Sequence, residues 1–158
     1  MKIGEALGGI DSIYIDTAPI VYFAEQVAPF AERVYAIFSR IAEGEIAAVT
    51  STITLTEVLT KPLRDNDTEV EAAYRNMLVN DGGYVRVPVT DAIAERAALL
   101  RAQYNLRTPD ALHLATAIIS SCGAFLTNDY ALKRVTEITI LVLDELEIDL
   151  PAPADDSG

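Results

Sequence analysis

Four acidic residues stand out because apolar residues typical of a folded core lie beside them: Asp16, Glu57, Asp110 and Asp129. Charged groups in such surroundings need partners, yet no lysine or arginine lies within three residues of Asp16 or Glu57. A cation is therefore their natural partner. With a single histidine and a single cysteine in the chain, a structural zinc site is excluded. Carboxylates suit Mg²⁺ or Mn²⁺, and such ions can activate a water that hydrolyses a phosphodiester.

Each of these acids also has an ordinary structural explanation. Asp16 and Asp129 are suited to capping a helix or closing a turn. Glu57 could complete a capping box with Thr54, and Asp110 could interact favourably with the dipole of its own helix. The gaps between successive acids are 41, 53 and 19 residues, which are too long for one loop. Only the fold could bring them together.

Short apolar runs alternate with helical periodicity along the chain, which predicts an α/β fold with a parallel sheet covered on both faces. Ligands of such sheets bind beyond the carboxyl ends of the strands, where Asp16 and Asp129 fall. The predicted strands are Ser12–Ile15, 46–49, Tyr84–Val87, Ala124–Thr127 and 138–142. The predicted helices are 19–23, 30–43, 54–59, 67–79, 90–104, 108–121 and 131–134.

Two breaks in this pattern are predicted from proline and glycine. We expect the helix at 54–59 to stop before Pro62, because the residue before a proline is disfavoured in a helix. We expect the helix at 67–79 to end at the Asp81-Gly82-Gly83 turn.

The length of 158 residues predicts one domain, over 1–150, followed by an acidic, disordered tail at 151–158. The lone Cys122 cannot form a disulfide within the chain, which fits a cytoplasmic protein. We expect neither a signal peptide at the N-terminus nor a membrane span. The formal net charge is −12, and residues 143–158 hold six acids and no base. This charge excludes a protein that coats DNA, but not an enzyme that meets a polyanion through bound cations. The interpretation of residues 143–158 that requires no function is a solvated, frayed end.

Four segments containing the acids resemble the motifs of the PIN-domain nucleases, and in particular the VapC-like toxin ribonucleases of bacterial toxin–antitoxin pairs. The segments are IDTAPIVYF at 15–23, TLTEVL at 54–59, TPDALHLATA at 108–117 and FLTND at 125–129. The resemblance covers about 12–143, and the third motif is its most specific part. It implies a three-layer α/β/α PIN-like fold with a central parallel sheet.

The resemblance also implies a metal-dependent endoribonuclease, usually a homodimer, with an RNA substrate and a cognate antitoxin that blocks the site. Asp16, Glu57, Asp110 and Asp129 would then bind Mg²⁺ or Mn²⁺ and activate water. The alternative is a catalytically weak PIN-like module that acts by binding a protein.

Further residues receive supporting roles in this interpretation. Three would orient carboxylates or a bound water, namely Thr17, Thr127 and Asn128. His113 lies three residues after Asp110 on nearly the same helix face, and would touch substrate or water or simply bond to a neighbour. The candidate phosphate contacts are Arg107, Lys133 and Arg134, with Lys61 and Arg64 as further possibilities. The apolar residues suggested for a dimer or antitoxin surface are Ile20, Val21, Phe23 and Phe30.

Overall fold

A computed structural model describes residues 1–80 and 83–151. Its centre is a five-stranded sheet in which all neighbouring strands are parallel, in the order β3-β2-β1-β4-β5. The strands are β1 (Ser12–Ile15), β2 (Ala47–Ser51), β3 (Tyr84–Val87), β4 (Ala124–Thr127) and β5 (Thr139–Val142). From β1 the chain adds β2 and β3 on one side of the sheet and then β4 and β5 on the other. The position between β1 and β4 is therefore a topological switch point, where ligands of open α/β sheets bind.

Helices join the strands on both faces of the sheet. They are α1 (Ile3–Ala6), α2 (Thr17–Ala24), α3 (Ala31–Ala42), α4 (Thr52–Arg64), α5 (Thr68–Arg75), α6 (Asp91–Tyr104) and α7 (Thr108–Ile119). Shorter turns of π and 3₁₀ helix lie at Asn76–Asn80, Tyr130–Arg134 and Leu143–Glu145. Within the described ranges, no helix has the length and apolar character needed to cross a lipid bilayer.

The alternation of side chains along β1 shows why the sheet is covered on both faces. Ile13 and Ile15 belong to one apolar cluster, which also contains Val34 and Ile37 of α3. Tyr14 points to the other cluster, with Leu114 of α7. Successive side chains of a strand face opposite sides, so each face of β1 has its own core. The expected three-layer α/β/α arrangement is confirmed.

The expectation that the fourth helix stops before Pro62 is wrong. Helix α4 continues to Arg64 with Pro62 inside it. Proline removes only the hydrogen bond of its own nitrogen, and the bonds around it are kept, since the amide of Asp65 donates to the carbonyl of Lys61 and that of Asp67 to the carbonyl of Pro62, both at 2.9 Å. The start of α4 also differs from the capping-box interpretation, because Ser51 is the N-cap and accepts from the amide of Ile53 at 3.3 Å. Glu57 therefore lies in the helix interior and has no capping role.

The next helical segment is shorter than its periodicity predicts. Asp67 caps α5 by accepting from the amide of Val70 at 3.2 Å, as its side chain favours. After Arg75 the regular helix gives way to a π-helical turn at Asn76–Asn80. Of the predicted terminating turn, Asp81 and Gly82 lie outside the described residues.

The acidic segment after β5 is packed against the N-terminus. Leu143 and Leu146 are buried, the backbone of Glu147 bonds to Met1 and Ile3 at 2.9 Å, and Asp149 accepts from the amide of Gly4. The interpretation of this segment as a frayed end is therefore wrong as far as residue 149. Residues 152–158 lie outside the described part, and the domain boundary at residue 150 stays a prediction.

Candidate active site

A cavity of about 430 Å³ opens beyond the carboxyl ends of β1 and β4. All four predicted acids contribute to its wall, although their motifs are far apart in the sequence. Of the predicted site residues, the wall contains Asp16, Thr17, Glu57, Arg107, Asp110, Thr127, Asn128 and Asp129. The fold therefore gathers the acids that sequence reasoning selected.

Asp16 follows β1 directly and caps α2. Its Oδ1 accepts from the amide of Thr17 at 2.8 Å, and its Oδ2 accepts from the hydroxyl of Thr127 at 2.8 Å. Burial raises the pKa of the Asp16 carboxyl, and the nearby His113 and the Thr127 hydrogen bond oppose this rise without cancelling it. The structural interpretation of Asp16 as a cap is thus correct, and the carboxylate also faces the cavity.

Glu57 reaches the cavity from the middle of α4. Its Oε1 lies 2.5 Å from His113 Nε2 and accepts from the hydroxyl of Thr17 at 3.0 Å. Burial alone would raise the pKa of Glu57, but the hydrogen bonds from His113 and Thr17 outweigh burial and hold it below its usual value. Glu57 is therefore an ionised carboxylate at neutral pH.

The other two acids stand at the starts of helical segments. Asp110 lies in the first turn of α7, behind Pro109, and its Oδ2 is 3.2 Å from Nε of Arg107. Asp129 caps the turn at Tyr130–Arg134, where its Oδ1 accepts from the amide of Ala131 at 2.9 Å. Both therefore keep the structural roles that their positions favour, while lining the cavity.

All four carboxylates thus accept hydrogen bonds from protein donors. Within residues 1–80 and 83–151, no three His, Cys, Asp or Glu side chains converge closely enough to form a metal-binding group. The donor set nevertheless fits a hard divalent cation. It consists of carboxylate oxygens. In addition to burial, the nearby charge of Asp110 raises the pKa of Asp16, and a bound cation would offset both effects.

Two tyrosines missed by sequence reasoning support this cavity. The hydroxyl of Tyr14 lies 2.6 Å from Nδ1 of His113. A signal existed in the sequence, since Tyr14 precedes Asp16 by two residues, a spacing that puts both side chains on the same side of an extended segment, and a buried tyrosine needs a hydrogen-bond partner. Tyr22 accepts from the amide nitrogen of Asn128 at 3.2 Å, while Asn128 Oδ1 accepts from the backbone of Asp144 at 3.0 Å. Asn128 therefore fixes the loop after β4.

The predicted phosphate contacts separate into two groups. Arg107 lines the cavity, and its side chain is 80% exposed. Lys133 instead pairs with Glu145 at 2.7 Å, and Arg134 donates to the carbonyls of Tyr104 and Ala131. The structure does not bring Lys133 and Arg134 into the cavity wall. Their partners come from residues that the local sequence around them does not reveal.

Two residues named as further possibilities also lie outside the wall of this cavity. Lys61 pairs with Asp65 at 3.4 Å along α4, and Arg64 is exposed in the last turn of that helix.

The residues suggested for an apolar dimer or antitoxin surface are largely part of the core. Ile20 is completely buried in the core, so it cannot contact a partner. Val21, Phe23 and Phe30 are partly buried against the same cluster, which leaves only part of each side chain accessible.

Comparison with known proteins identifies the family. The model of the PIN domain matches residues 13–138, whereas no curated protein sequence matches significantly. Three solved structures share the fold, and their low sequence identities to this chain support a shared fold alone. VapBC2 from Rickettsia felis, bound to a promoter DNA fragment, is 15% identical with a TM-score of 0.69 over 83% of this chain and 98% of that one. FitAcB from Neisseria gonorrhoeae is 18% identical with a TM-score of 0.67 over 85% and 99%.

The third is VapC20 from Mycobacterium tuberculosis, a toxin that cleaves the sarcin–ricin loop. It is 16% identical, with a TM-score of 0.61 over 80% of this chain and 98% of that one. The resemblance expected from the four acidic motifs is therefore confirmed at the level of family and fold. Because the family model spans most of the sequence, including all four motifs, this chain belongs to the PIN-domain family.

Proposed function

We propose that this PIN-domain chain is an endoribonuclease that uses Mg²⁺ or Mn²⁺ held by Asp16, Glu57, Asp110 and Asp129. One observation carries the proposal: four acids from separate motifs line a single cavity at the switch point of the parallel sheet. Clustered carboxylates of this kind favour metal-assisted hydrolysis over acid–base chemistry by one side chain.

The metal would supply an activated water and stabilise the leaving oxygen of the phosphodiester. The protein's own residues would fix the ligands. Thr17 and Thr127 donate to carboxylate oxygens of Glu57 and Asp16, so both acids are held before substrate arrives. Arg107 at the mouth of the cavity would contact a phosphate oxygen. Hydrolysis by water leaves a 5′-phosphate and a 3′-hydroxyl, whereas attack by the ribose 2′-hydroxyl would leave a cyclic phosphate.

The charge distribution supports binding of RNA through cations more than through a basic surface. The net charge is −12. Several basic side chains that could contact phosphate are already paired, including Lys2, Arg40, Lys61 and Lys133. Bound cations would reduce the repulsion between the acidic cavity and a polyanion.

The biological setting is proposed from the similar structures. Several of them are toxin–antitoxin complexes, from Rickettsia felis, Klebsiella pneumoniae and Neisseria gonorrhoeae. We propose that this chain is likewise the toxin of such a pair, acting in the cytoplasm as a homodimer, with an antitoxin that covers the acidic cavity.

A second candidate function is that of a catalytically weak module that acts by binding a protein. The observation that favours it is that, among residues 1–80 and 83–151, no three His, Cys, Asp or Glu side chains lie close enough together to form a metal-binding group. The two candidates differ in whether loss of one site carboxylate abolishes the biological effect.

Cleavage of mixed cellular RNA by the wild-type protein and by Asp16→Asn, with Mn²⁺ and with EDTA, tests the proposal. We expect cuts that disappear with the substitution and with EDTA. Asp91→Asn is a matched control, because Asp91 is an exposed carboxylate on α6 outside the cavity. Cleavage that survives both changes would overturn the site assignment, and a cyclic phosphate end would overturn the mechanism. An intact biological effect in Asp16→Asn would favour the binding module.

A further inference from the structure

A chain of three side chains runs from the centre of the sheet to the wall of the acidic cavity. Tyr14 on β1 contacts Nδ1 of His113 on α7 at 2.6 Å, and Nε2 of His113 contacts Oε1 of Glu57 on α4 at 2.5 Å. Tyr14 and His113 are 0% and 1% exposed. The imidazole is thus held from both sides in a place that water does not reach.

The donor and acceptor in each of these two hydrogen bonds follow from which atoms can carry a proton. Oε1 of Glu57 lies 2.5 Å from Nε2 of His113 and also accepts from the Thr17 hydroxyl, and a carboxylate oxygen in this position is an acceptor. Nε2 of His113 must therefore carry a proton. In a neutral imidazole Nδ1 is then an acceptor, and the Tyr14 hydroxyl donates to it.

The effect on Glu57 is to occupy one carboxylate oxygen. Oε1 receives hydrogen bonds from His113 and from the hydroxyl of Thr17. Among residues 1–80 and 83–151, no hydrogen bond or ion pair to Oε2 is found. A carboxylate that is fixed through one oxygen can offer the other to a cation.

We propose that Tyr14 is a positioning residue: its hydroxyl holds His113 in the Nε2–H tautomer, and His113 in turn holds Glu57 with one oxygen free for the cation. The role rests on the proposed function, because it deepens the assignment of Glu57 as a ligand. The packing of Tyr14 supports it, since its ring stacks on Phe125 with centroids 5.1 Å apart, which helps to fix the direction of its hydroxyl.

The substitution that isolates this role is Tyr14→Phe, which keeps the ring and removes only the hydroxyl. Tyr74→Phe is a matched control, because Tyr74 is 1% exposed and also donates its hydroxyl to a carboxylate, that of Glu25. Tyr74 does not line the acidic cavity. A general effect of losing a buried hydroxyl would appear in both variants.

Two measurements test the proposal. The chain has one histidine, so ¹⁵N-histidine labelling gives a single imidazole, whose tautomer nitrogen NMR reads in metal-free protein. We expect the Nε2–H tautomer in the wild type, and in Tyr14→Phe an Nδ1 signal typical of an acceptor without a donor. Calorimetric titration with Mn²⁺ should show about 10-fold weaker binding by Tyr14→Phe and unchanged binding by Tyr74→Phe.

Outcomes that overturn the inference differ from those that overturn the proposed function. A proton on Nδ1 in the wild type, an unchanged Nδ1 signal in Tyr14→Phe, or a Mn²⁺ affinity within about twofold of wild type would overturn the positioning role. Failure of the wild-type protein to bind Mn²⁺ at all would overturn the metal site instead. The imidazole signals would then still decide whether Tyr14 sets the tautomer.

Discussion

Thr127 and Asp16, 111 residues apart in the sequence, are joined by a hydrogen bond of 2.8 Å from the Thr127 hydroxyl to Asp16 Oδ2. The same hydroxyl accepts from the amide of Asp129 at 3.1 Å. The Thr127 hydroxyl, at the end of β4, therefore holds both the carboxylate of Asp16 and the backbone amide of Asp129. It connects the first and last motifs of the site.

Thr127→Val is expected to damage the site more than the fold. It removes the donor to Asp16 and the acceptor for the Asp129 amide, which costs about 1–3 kcal/mol of stability. It should also weaken Mn²⁺ binding by about 10-fold or more, as is usual when support for a metal ligand is lost. Thr127→Ser keeps the hydroxyl and should retain most of the affinity. Calorimetry on the three proteins checks this, and equal affinities for Val and Ser would contradict it.

Asp16→Asn is expected to stabilise the metal-free protein at pH 7. Burial raises the pKa of Asp16, so the charged form costs folding free energy that a neutral amide avoids. Asparagine is also a good N-cap. A gain of about 1 kcal/mol would raise the melting temperature by roughly 2–4 °C. Thermal unfolding in EDTA measures it.

Addition of Mn²⁺ should reverse this order. Ligand binding stabilises the native state by about 2.7 kcal/mol at 100 times the dissociation constant, and only the wild type keeps the buried carboxylate. Equal stabilisation of the two proteins by Mn²⁺ would argue against Asp16 as a ligand.

Sequence periodicity predicted the sheet and its helices because each strand is a short apolar run and most helices have caps that their own residues supply. Asp67 and Thr90 are examples, each accepting from an amide three residues later. The position of Pro62 inside α4 does not follow from the local rule, because proline removes only its own hydrogen bond and the amides of Asp65 and Asp67 still bond to the carbonyls of Lys61 and Pro62.

The candidate site was predictable in its acids but not in their supports. Carboxylates in apolar segments are visible in a sequence, since buried charge is rare. The contact of Tyr14 with His113 and that of Lys133 with Glu145 depend on which elements become neighbours. No local pattern contains that information, so Tyr14 was missed and Lys133 was assigned to a substrate.

Removal of the Tyr74 hydroxyl is expected to have a pH-dependent effect on stability. Tyr74 donates to Glu25, and burial together with this bond raises its pKa in the folded protein. Because the pKa of Tyr74 is higher in the folded than in the unfolded protein, its protonated form stabilises the fold at pH values below the unfolded-state pKa of about 10. This stabilisation is lost as the pH rises toward the folded-state pKa. The free energy of unfolding of the wild type should exceed that of Tyr74→Phe by about 1 kcal/mol at pH 7. This difference should narrow above pH ~10.

Urea unfolding of both proteins over this pH range measures the gap. The other tyrosines ionise equally in the two proteins, so the difference isolates Tyr74. A gap that stays constant or widens above pH ~10 would contradict the raised pKa.

Leu143→Ala should show that the chain after β5 belongs to the core. Leu143 is 0% exposed, whereas Leu150 is 80% exposed. Truncation of a buried leucine costs about 2–5 kcal/mol because a cavity remains, while Leu150→Ala should change stability by less than about 0.5 kcal/mol. Chemical denaturation of both variants checks this. Equal effects would mean that residue 143 already lies in a frayed end.

Arg107 and Lys133 are expected to differ in their effect on RNA cleavage. Arg107 lines the cavity with an exposed side chain, and its pairing with Asp110 at 3.2 Å keeps it near the mouth. Arg107→Gln should raise KM for RNA several-fold, because a phosphate contact is lost, with a smaller effect on kcat. Lys133 is paired with Glu145 outside the wall, so Lys133→Gln should leave KM unchanged and lower stability by at most about 1 kcal/mol.

Steady-state cleavage of one RNA at two salt concentrations distinguishes these roles. The difference between wild type and Arg107→Gln should shrink at high salt, since phosphate contacts are screened, whereas Lys133→Gln should follow the wild type at both. If Lys133→Gln raised KM as much as Arg107→Gln, the RNA would contact the face that carries the Lys133–Glu145 pair. That ion pair would then have to open when substrate binds, and the predicted role of Lys133 would be restored.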